Sequence, residues 1–343
     1  MKRFECGCGQ RLFFEDYRCL GCSREVGFAP GFMAFLSRGA GETAFLDASG
    51  RRWKVCANRA QHRVCNWLVA ADDDSPLCRA CRLNRVIPNL ESPSNLELWS
   101  RMERAKRRLV YSLIYLGLPI DNLAGRAPLA FEFMEDRRRN PRVAESFVMT
   151  GHRAGVITIN LLEADDSARH AVREEMRERY RTLLGHFRHE SGHYYWDWTV
   201  PAGEPLEEFR RLFGDEREDY QAAVRRYYGE GPAQGWPDRF VSAYASAHPI
   251  EDWAECWAHY LHIIDGLETA RANGLLQEAP SADWDVELAT WMDGSVKLNE
   301  LNRSLGTDDP YPFVLNSPVR EKLAFIHRRL EAATADVAGA EVR

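Results

Sequence analysis

No apolar run in the 343-residue sequence approaches the roughly 18 residues that a membrane-spanning helix needs. The longest candidate, "LVYSLIYLGLPI" at 109–120, reads as the buried end of a helix. The opening residues, "MKRFECGCGQ", lack the apolar core of a secretory signal, which predicts a protein that stays in the cytoplasm, without a membrane. Structural disulfides are scarce in that reducing compartment, so cysteines there need another use. No charge of one sign dominates. The first 90 residues carry 14 Lys and Arg against 9 Asp and Glu, and the remainder 31 against 42. Neither imbalance demands nucleic acid as a partner, although it leaves one open for the N-terminal part. Low-complexity tracts are absent. With 45% hydrophobic and 28% charged residues, the composition is that of a soluble globular protein long enough for two domains.

Cysteine is almost missing after residue 81: eight of the nine precede it, and Cys256 stands alone. The eight form two clusters. The first is Cys6-x-Cys8 and Cys19-x2-Cys22; the second is Cys56-x8-Cys65 and Cys78-x2-Cys81. Four thiolates in two short-spaced pairs suit the tetrahedral preference of zinc, so each cluster predicts one structural zinc. The wide first pair of the second cluster leaves His62 as a substitute ligand. The segment reads as loops and hairpins with too little apolar material to fold without metal. Ribbons of this kind bind nucleic acid, bind protein, or cap a neighbouring domain.

After a turn-rich linker at 87–95, an apolar stripe predicts a helix over roughly 96–116, capped by Ser94 or Asn95. Alternation predicts a strand at 129–136, then a hairpin over 146–162 turning near His152–Gly155. From Asp165 a helical pattern about thirty residues long carries "HFRHESGHYYWD" near its end. Short helices are expected around 204–228, and Pro249 suits the first turn of a helix to Asn273. Two more helices are expected at 284–304 and 317–333, with a frayed, flexible end at 336–343. The fold class is therefore α+β. A small zinc-ribbon region at 1–90 precedes a mostly helical domain with a small β-sheet at 91–335.

Within His189-Glu190-Ser191-Gly192-His193, the two histidines stand one helical turn apart and can reach one ion. Glu190, about 100° round the helix, can hold a water without being a ligand, the place of a general base in a zinc hydrolase. A third ligand is required. Glu251, Glu255, His259 and His262 form one polar stripe on the otherwise apolar helix "AHPIEDWAECWAHYLHIIDG". Tyr244 and His248, just before that helix, are the nearest donors for a reaction oxyanion. Asp197 could accept the second ring N–H of His193. His186 reads as a helix-face residue and Cys256 as a small buried filler. The strand Val156–Ile159 could pair with an extended peptide along its edge.

"HESGH" followed by "IEDWAECWAHY" resembles the gluzincin metallopeptidases, whose second helix carries Glu-x-x-(Ala/Ser)-(Glu/Asp). The whole chain is similar to a bacterial family of zinc-binding metallopeptidases with an N-terminal zinc ribbon. The resemblance implies a zincin-like domain and three zinc ions, one catalytic and two structural. It places Glu251 as ligand, Ala254 as the small residue and Glu255 as the carboxylate that orients a ligand histidine. The 58-position gap between His193 and Glu251 is longer than in thermolysin-like enzymes and keeps Glu255 open as the ligand. The implied activity is hydrolysis of a peptide or amide, with a metal-polarised carbonyl attacked by water that Glu190 deprotonates. Two other readings stand beside it. One is a non-catalytic ribbon adaptor for protein or nucleic acid with a structural HESGH site. The other is a di-iron bundle, which would need a second Glu-x-x-His pair.

Overall fold

Glycines and aromatics interleaved with cysteines favour short hairpins, and the N-terminal segment is built of them. The structure is a computed structural model that describes residues 1–92, 94–121, 127–169 and 182–341, with the side chains of 336–341 outside the description. The chain divides into two packed units, Met1–Glu175 and Met176–Arg343.

In the first unit, β1 (Phe4–Glu5) pairs with β2 (Arg11–Leu12), and β3 (Glu25–Ala29) with β4 (Ala34–Arg38). A second sheet joins β5 (Phe45–Leu46), β6 (Arg52–Val55) and β7 (Leu68–Ala70). The short helix α1 (Ala57–His62) lies between β6 and β7. The apolar material expected to be short in this segment is supplemented from outside it. Phe4, Phe14, Phe28 and Trp67 are buried in one aromatic cluster that includes Tyr111 of α2 (Asn95–Tyr115). The core is supplied by a helix that follows the cysteines in sequence. Ser94 precedes α2 without a side-chain cap bond, while Asn95 donates to the Asn89 carbonyl at 2.8 Å.

The same helix carries a buried polar strip. Lys106 reaches Glu103 at 2.8 Å, and the Asn84 amide donates to the same Glu103 oxygen at 2.7 Å. Asn84 opens β8 (Asn84–Val86), which with β9 (Ala130–Met134), β10 (Gly151–Arg153) and β11 (Val156–Asn160) forms a sheet ordered β10-β11-β9-β8. β8 and β11 run parallel to β9, and β10 is antiparallel to β11. The β10–β11 turn falls at Ala154 and Gly155, both with positive φ, the backbone that a two-residue hairpin requires. β11 is an interior strand with neighbours on both sides. Its backbone groups are spent within the sheet, so Val156–Ile159 offers no edge to a peptide.

In the second unit, α3 (Leu183–Thr199) starts at an extended Thr182 whose hydroxyl accepts the Gly185 N–H at 3.0 Å. The His-rich motif therefore lies inside a 17-residue helix, not near the end of one that runs unbroken from Asp165. The expected helix between 170 and 181 falls outside the described residues. α4 (Glu204–Phe213), α5 (Tyr220–Glu230), α6 (Pro249–Ala272), α7 (Trp284–Ser304) and α8 (Ser317–Glu341) complete the unit. Pro249 stands in the first turn of α6 as expected, and α8 continues beyond 333 to Glu341.

α3 packs closely on α6, and Gly192 is the reason that it can. A Cβ built on Gly192 would lie 3.0 Å from the Cα of Ala254 and 3.1 Å from the Cβ of Trp257. Two indoles clamp the crossing: Trp253 donates to the Gly192 carbonyl at 2.9 Å and Trp257 to the Ser191 hydroxyl at 3.0 Å. An ion pair between buried Arg188 and half-buried Asp265 ties the same two helices together. Fully buried Trp253, Trp257, Tyr195, Phe209 and Phe325 fill the core around them.

Candidate functional site

The eight cysteines converge as two groups of four, each with its sulfurs within 4.8 Å of one another. Cys6–Cys22 and Cys65–Cys78 are 3.7 Å apart and Cys8–Cys19 3.6 Å. A tetrahedral zinc with bonds of about 2.3 Å requires sulfur separations of about 3.8 Å. The donor sets fit that ion. The wide spacing in the second cluster is explained locally. Cys56 starts α1 and Arg63 ends it in the left-handed region, so the short helix folds Cys65 back towards Cys56. The Trp67 and Cys78 backbone N–H groups donate to the sulfurs of Cys65 and Cys56 at 3.4 Å, contacts that favour thiolates. His62 is not among the four: its ring packs on Trp99. All four cysteines of the second cluster are buried, whereas Cys8 is exposed.

The third group unites α3 and α6. His189 Nε2 and His193 Nε2 are 3.2 Å apart, and Glu251 Oε2 lies 3.1 Å from the first and 3.7 Å from the second. Ligands about 2.05 Å from a tetrahedral zinc would be about 3.3 Å apart, so this triangle also fits. The atoms that face away from the triangle are held. His189 Nδ1 meets Glu255 Oε1 at 2.7 Å, and the Ser242 hydroxyl donates to Glu255 Oε2 at 2.6 Å. The Tyr220 hydroxyl donates to Glu251 Oε1 at 2.7 Å. Glu251 Oε2 is buried and accepts no hydrogen bond, an orphan that a cation would satisfy.

The two carboxylates thus take different places. Glu251 faces both histidines, and Glu255 faces the far side of His189. Burial favours the neutral acid of Glu251, but His193 and His189 beside it outweigh burial and lower its pKa to about 2. Glu255 is likewise lowered to about 2, because His189 and the Ser242 hydroxyl overcome its burial. Burial opposes a charge on His189, yet Glu251 and Glu255 together raise its pKa well above the usual imidazole value. His189 thus lies between two carboxylates, an arrangement of donors and charge that suits a divalent cation.

The remaining candidates separate clearly. Glu190 is buried on α3 beside His189; burial, then nearby charges that end with its own, raises the pKa values of Tyr220 and Tyr244. Tyr244 lies with its ring 6.0 Å from that of His189, and burial followed by the Glu251 charge keeps its phenol protonated. His248 does not fit the expected oxyanion role. Its Nδ1 accepts the Ile250 N–H at 3.1 Å and its Nε2 contacts the Glu218 carbonyl at 3.0 Å, so both ring nitrogens serve the start of α6. His259 is a core residue bonded to the Tyr311 hydroxyl at 2.8 Å, and burial lowers its pKa to about 4. Asp197 is exposed. Cys256 is a buried thiol that donates to Asp252 at 3.6 Å.

Tyr220 and Ser242 are the site residues that sequence reasoning missed. Tyr220 is 31 positions from the carboxylate it holds, and no spacing rule links them. Ser242 was visible only as a small polar residue in "FVSAYASAHP".

Among the described residues no helix is long and apolar enough to cross a membrane. Residues 3–92 match a family described as a zinc-ribbon domain, and residues 95–329 one described as "Putative zinc-binding metallo-peptidase". Uncharacterized proteins of Mycobacterium bovis and of two Mycobacterium tuberculosis strains are 42% identical to the chain over 358 residues, covering 100% of it and 99% of each relative. No solved structure matches significantly. The chain belongs to the zinc-binding metallo-peptidase family whose members match over residues 95–329, and it carries a zinc-ribbon domain before that region.

Proposed function

We propose that the chain is a zinc-dependent peptidase or amide hydrolase, gluzincin-like, acting on a peptide or protein. Its catalytic site is formed by His189, His193 and Glu251, and the two four-cysteine clusters hold structural zinc, for three ions in all. The observation that carries this reading is the division of labour between the carboxylates. Glu251 Oε2 joins the two imidazole nitrogens while Glu255 holds His189 from behind, and Glu190 is a third buried carboxylate, on the same helix as the histidines. A purely structural site has no use for Glu190.

A zinc ion held by these three side chains supplies Lewis-acid polarisation of a carbonyl oxygen and lowers the pKa of a bound water. Glu190 takes the proton from the attacking water and passes it to the leaving amine. Glu255 fixes the ring plane of His189 and keeps its Nε2 directed inward. Tyr220 holds Glu251 so that only Oε2 faces the histidines. Tyr244, neutral and close to His189, is the donor best placed to bind a developing oxyanion.

The test is Glu190→Gln in the full chain, with zinc content, thermal unfolding and hydrolysis of a peptide library measured side by side. Zinc and fold are expected to remain while hydrolysis disappears. Activity unchanged in Glu190→Gln would sink the assignment of the base, and no hydrolysis of any peptide by the zinc-loaded parent would sink the activity.

A further inference from the structure

Lys322 is a lysine with almost no access to water: 4% of its surface is exposed, and its partner Asp252 is fully buried. Its Nζ donates to Asp252 Oδ2 at 2.6 Å and to the Arg239 carbonyl at 3.0 Å. The ammonium also lies 4.5 Å from the ring centre of Phe240 and 5.6 Å from that of Phe213. Removing both charges from water is costly, and a well-packed apolar pair would hold α8 against α6 equally well. What an apolar pair cannot supply is direction. The ammonium points at two fixed oxygens, one on the residue after Glu251 and the other three residues before Ser242, which bonds Glu255.

On one side, Asp252 directly follows Glu251 in the first turn of α6. On the other, Arg239 is three residues before Ser242, whose hydroxyl donates to Glu255. One side chain from α8 therefore ties together the backbone that presents Glu251 and the segment that orients Glu255 and, through it, His189. We infer that Lys322 is a positioning residue for the zinc site, acting from the C-terminal helix through Asp252 and the Arg239 carbonyl. The inference rests on His189, His193 and Glu251 binding zinc. It adds that residues around 322, remote in sequence from every ligand, set how tightly the ion is held.

The experiment titrates zinc from the full chain with a competing chelator, the two ribbon ions serving as internal reference, alongside thermal unfolding. Lys322→Met is expected to weaken the His/Glu site by about tenfold or more, the range seen when partners behind a ligand are lost. The ribbon ions should stay in place, and Lys322→Arg should recover most of the affinity. Because Lys322→Met leaves a lone buried carboxylate and can fail to fold, the deciding variant is the double change Asp252→Leu with Lys322→Met. It removes both charges and is expected to fold, yet to bind the third zinc as weakly as the single variant. A folded double variant with parental zinc affinity would overturn the inference and reduce the pair to packing. If the unaltered chain holds no third zinc, the site reading itself falls and takes the inference with it.

Discussion

Adding one methyl group at Gly192 tests whether the α3–α6 crossing sets the geometry of the metal site. In an isolated helix, Gly→Ala would stabilise by about 1 kcal/mol. Here the new Cβ would stand 3.0 Å from a backbone carbon of Ala254 and 3.1 Å from two atoms of Trp257. Neither neighbour can give way. The first is main chain; the second is fully buried, hydrogen-bonded to Ser191 and stacked on Tyr195 with ring centres 5.1 Å apart. Overpacking of this kind costs about 1–3 kcal/mol, so the balance is a net loss of roughly 0–2 kcal/mol. For a unit of this size that lowers the unfolding midpoint by about 2–4 °C per kcal/mol. The more specific consequence is at the site, because separating the helices carries Glu251 away from His189 and His193. Differential scanning calorimetry and zinc titration of Gly192→Ala should show a lower midpoint together with weaker binding. A variant as stable as the parent, with unchanged zinc affinity, would refute the idea that this contact fixes the site.

Glu251→Ala should abolish binding of the third zinc, whereas Glu255→Ala should retain it with affinity reduced about 10–100-fold; equilibrium dialysis distinguishes the two, and the reverse order would make Glu255 the ligand. The two glutamates have folded pKa values of about 2, below their unfolded values. Their stabilisation of the zinc-free chain is thus present above roughly pH 4.3 and is lost as pH falls towards 2. His189, whose pKa is raised by those carboxylates, contributes fully below about pH 6.5 and loses its contribution as pH rises through its folded value. Since zinc must displace that proton, zinc affinity should rise between pH 6 and 8 while zinc-free stability falls, and melting curves with and without metal would test the opposite slopes. Cys65→Ser, in the fully buried cluster, should unfold the first unit more completely than Cys8→Ser at the exposed sulfur; limited proteolysis of residues 1–92 reports it.

Local signals carried much of this organisation. Pro249 at the first turn of α6 is a local signal, and the limits expected for α7, 284–304, are those of the helix. The pairing of His189 with His193 follows from helical repeat alone. The distinct places of Glu251 and Glu255 on α6 did not follow from spacing, because both lie on one helical face; the resemblance separated them. Contacts over long distances were silent. Strand order decides whether Val156–Ile159 has a free edge, and order depends on β9 and β10 closing around it. His248 looked like a donor because the helix it caps could be placed but the Glu218 carbonyl opposite it could not. The aromatic residues of the cysteine-rich segment looked insufficient because Tyr111, their partner, belongs to a later helix.

That shared core has a consequence for how such a chain can be cut and joined. The family boundaries between residues 92 and 95 suggest a ribbon that genes could pass around as a separate cassette. A break there would strip Tyr111 from Phe4, Phe14 and Phe28 and remove β8 from the side of β9. Either fragment would display freshly bared apolar surface and invite aggregation. The ribbon's fold is thus completed by α2 and by the β10-β11-β9-β8 sheet. Fusions and swaps cut at the ribbon's own end should therefore not be tolerated.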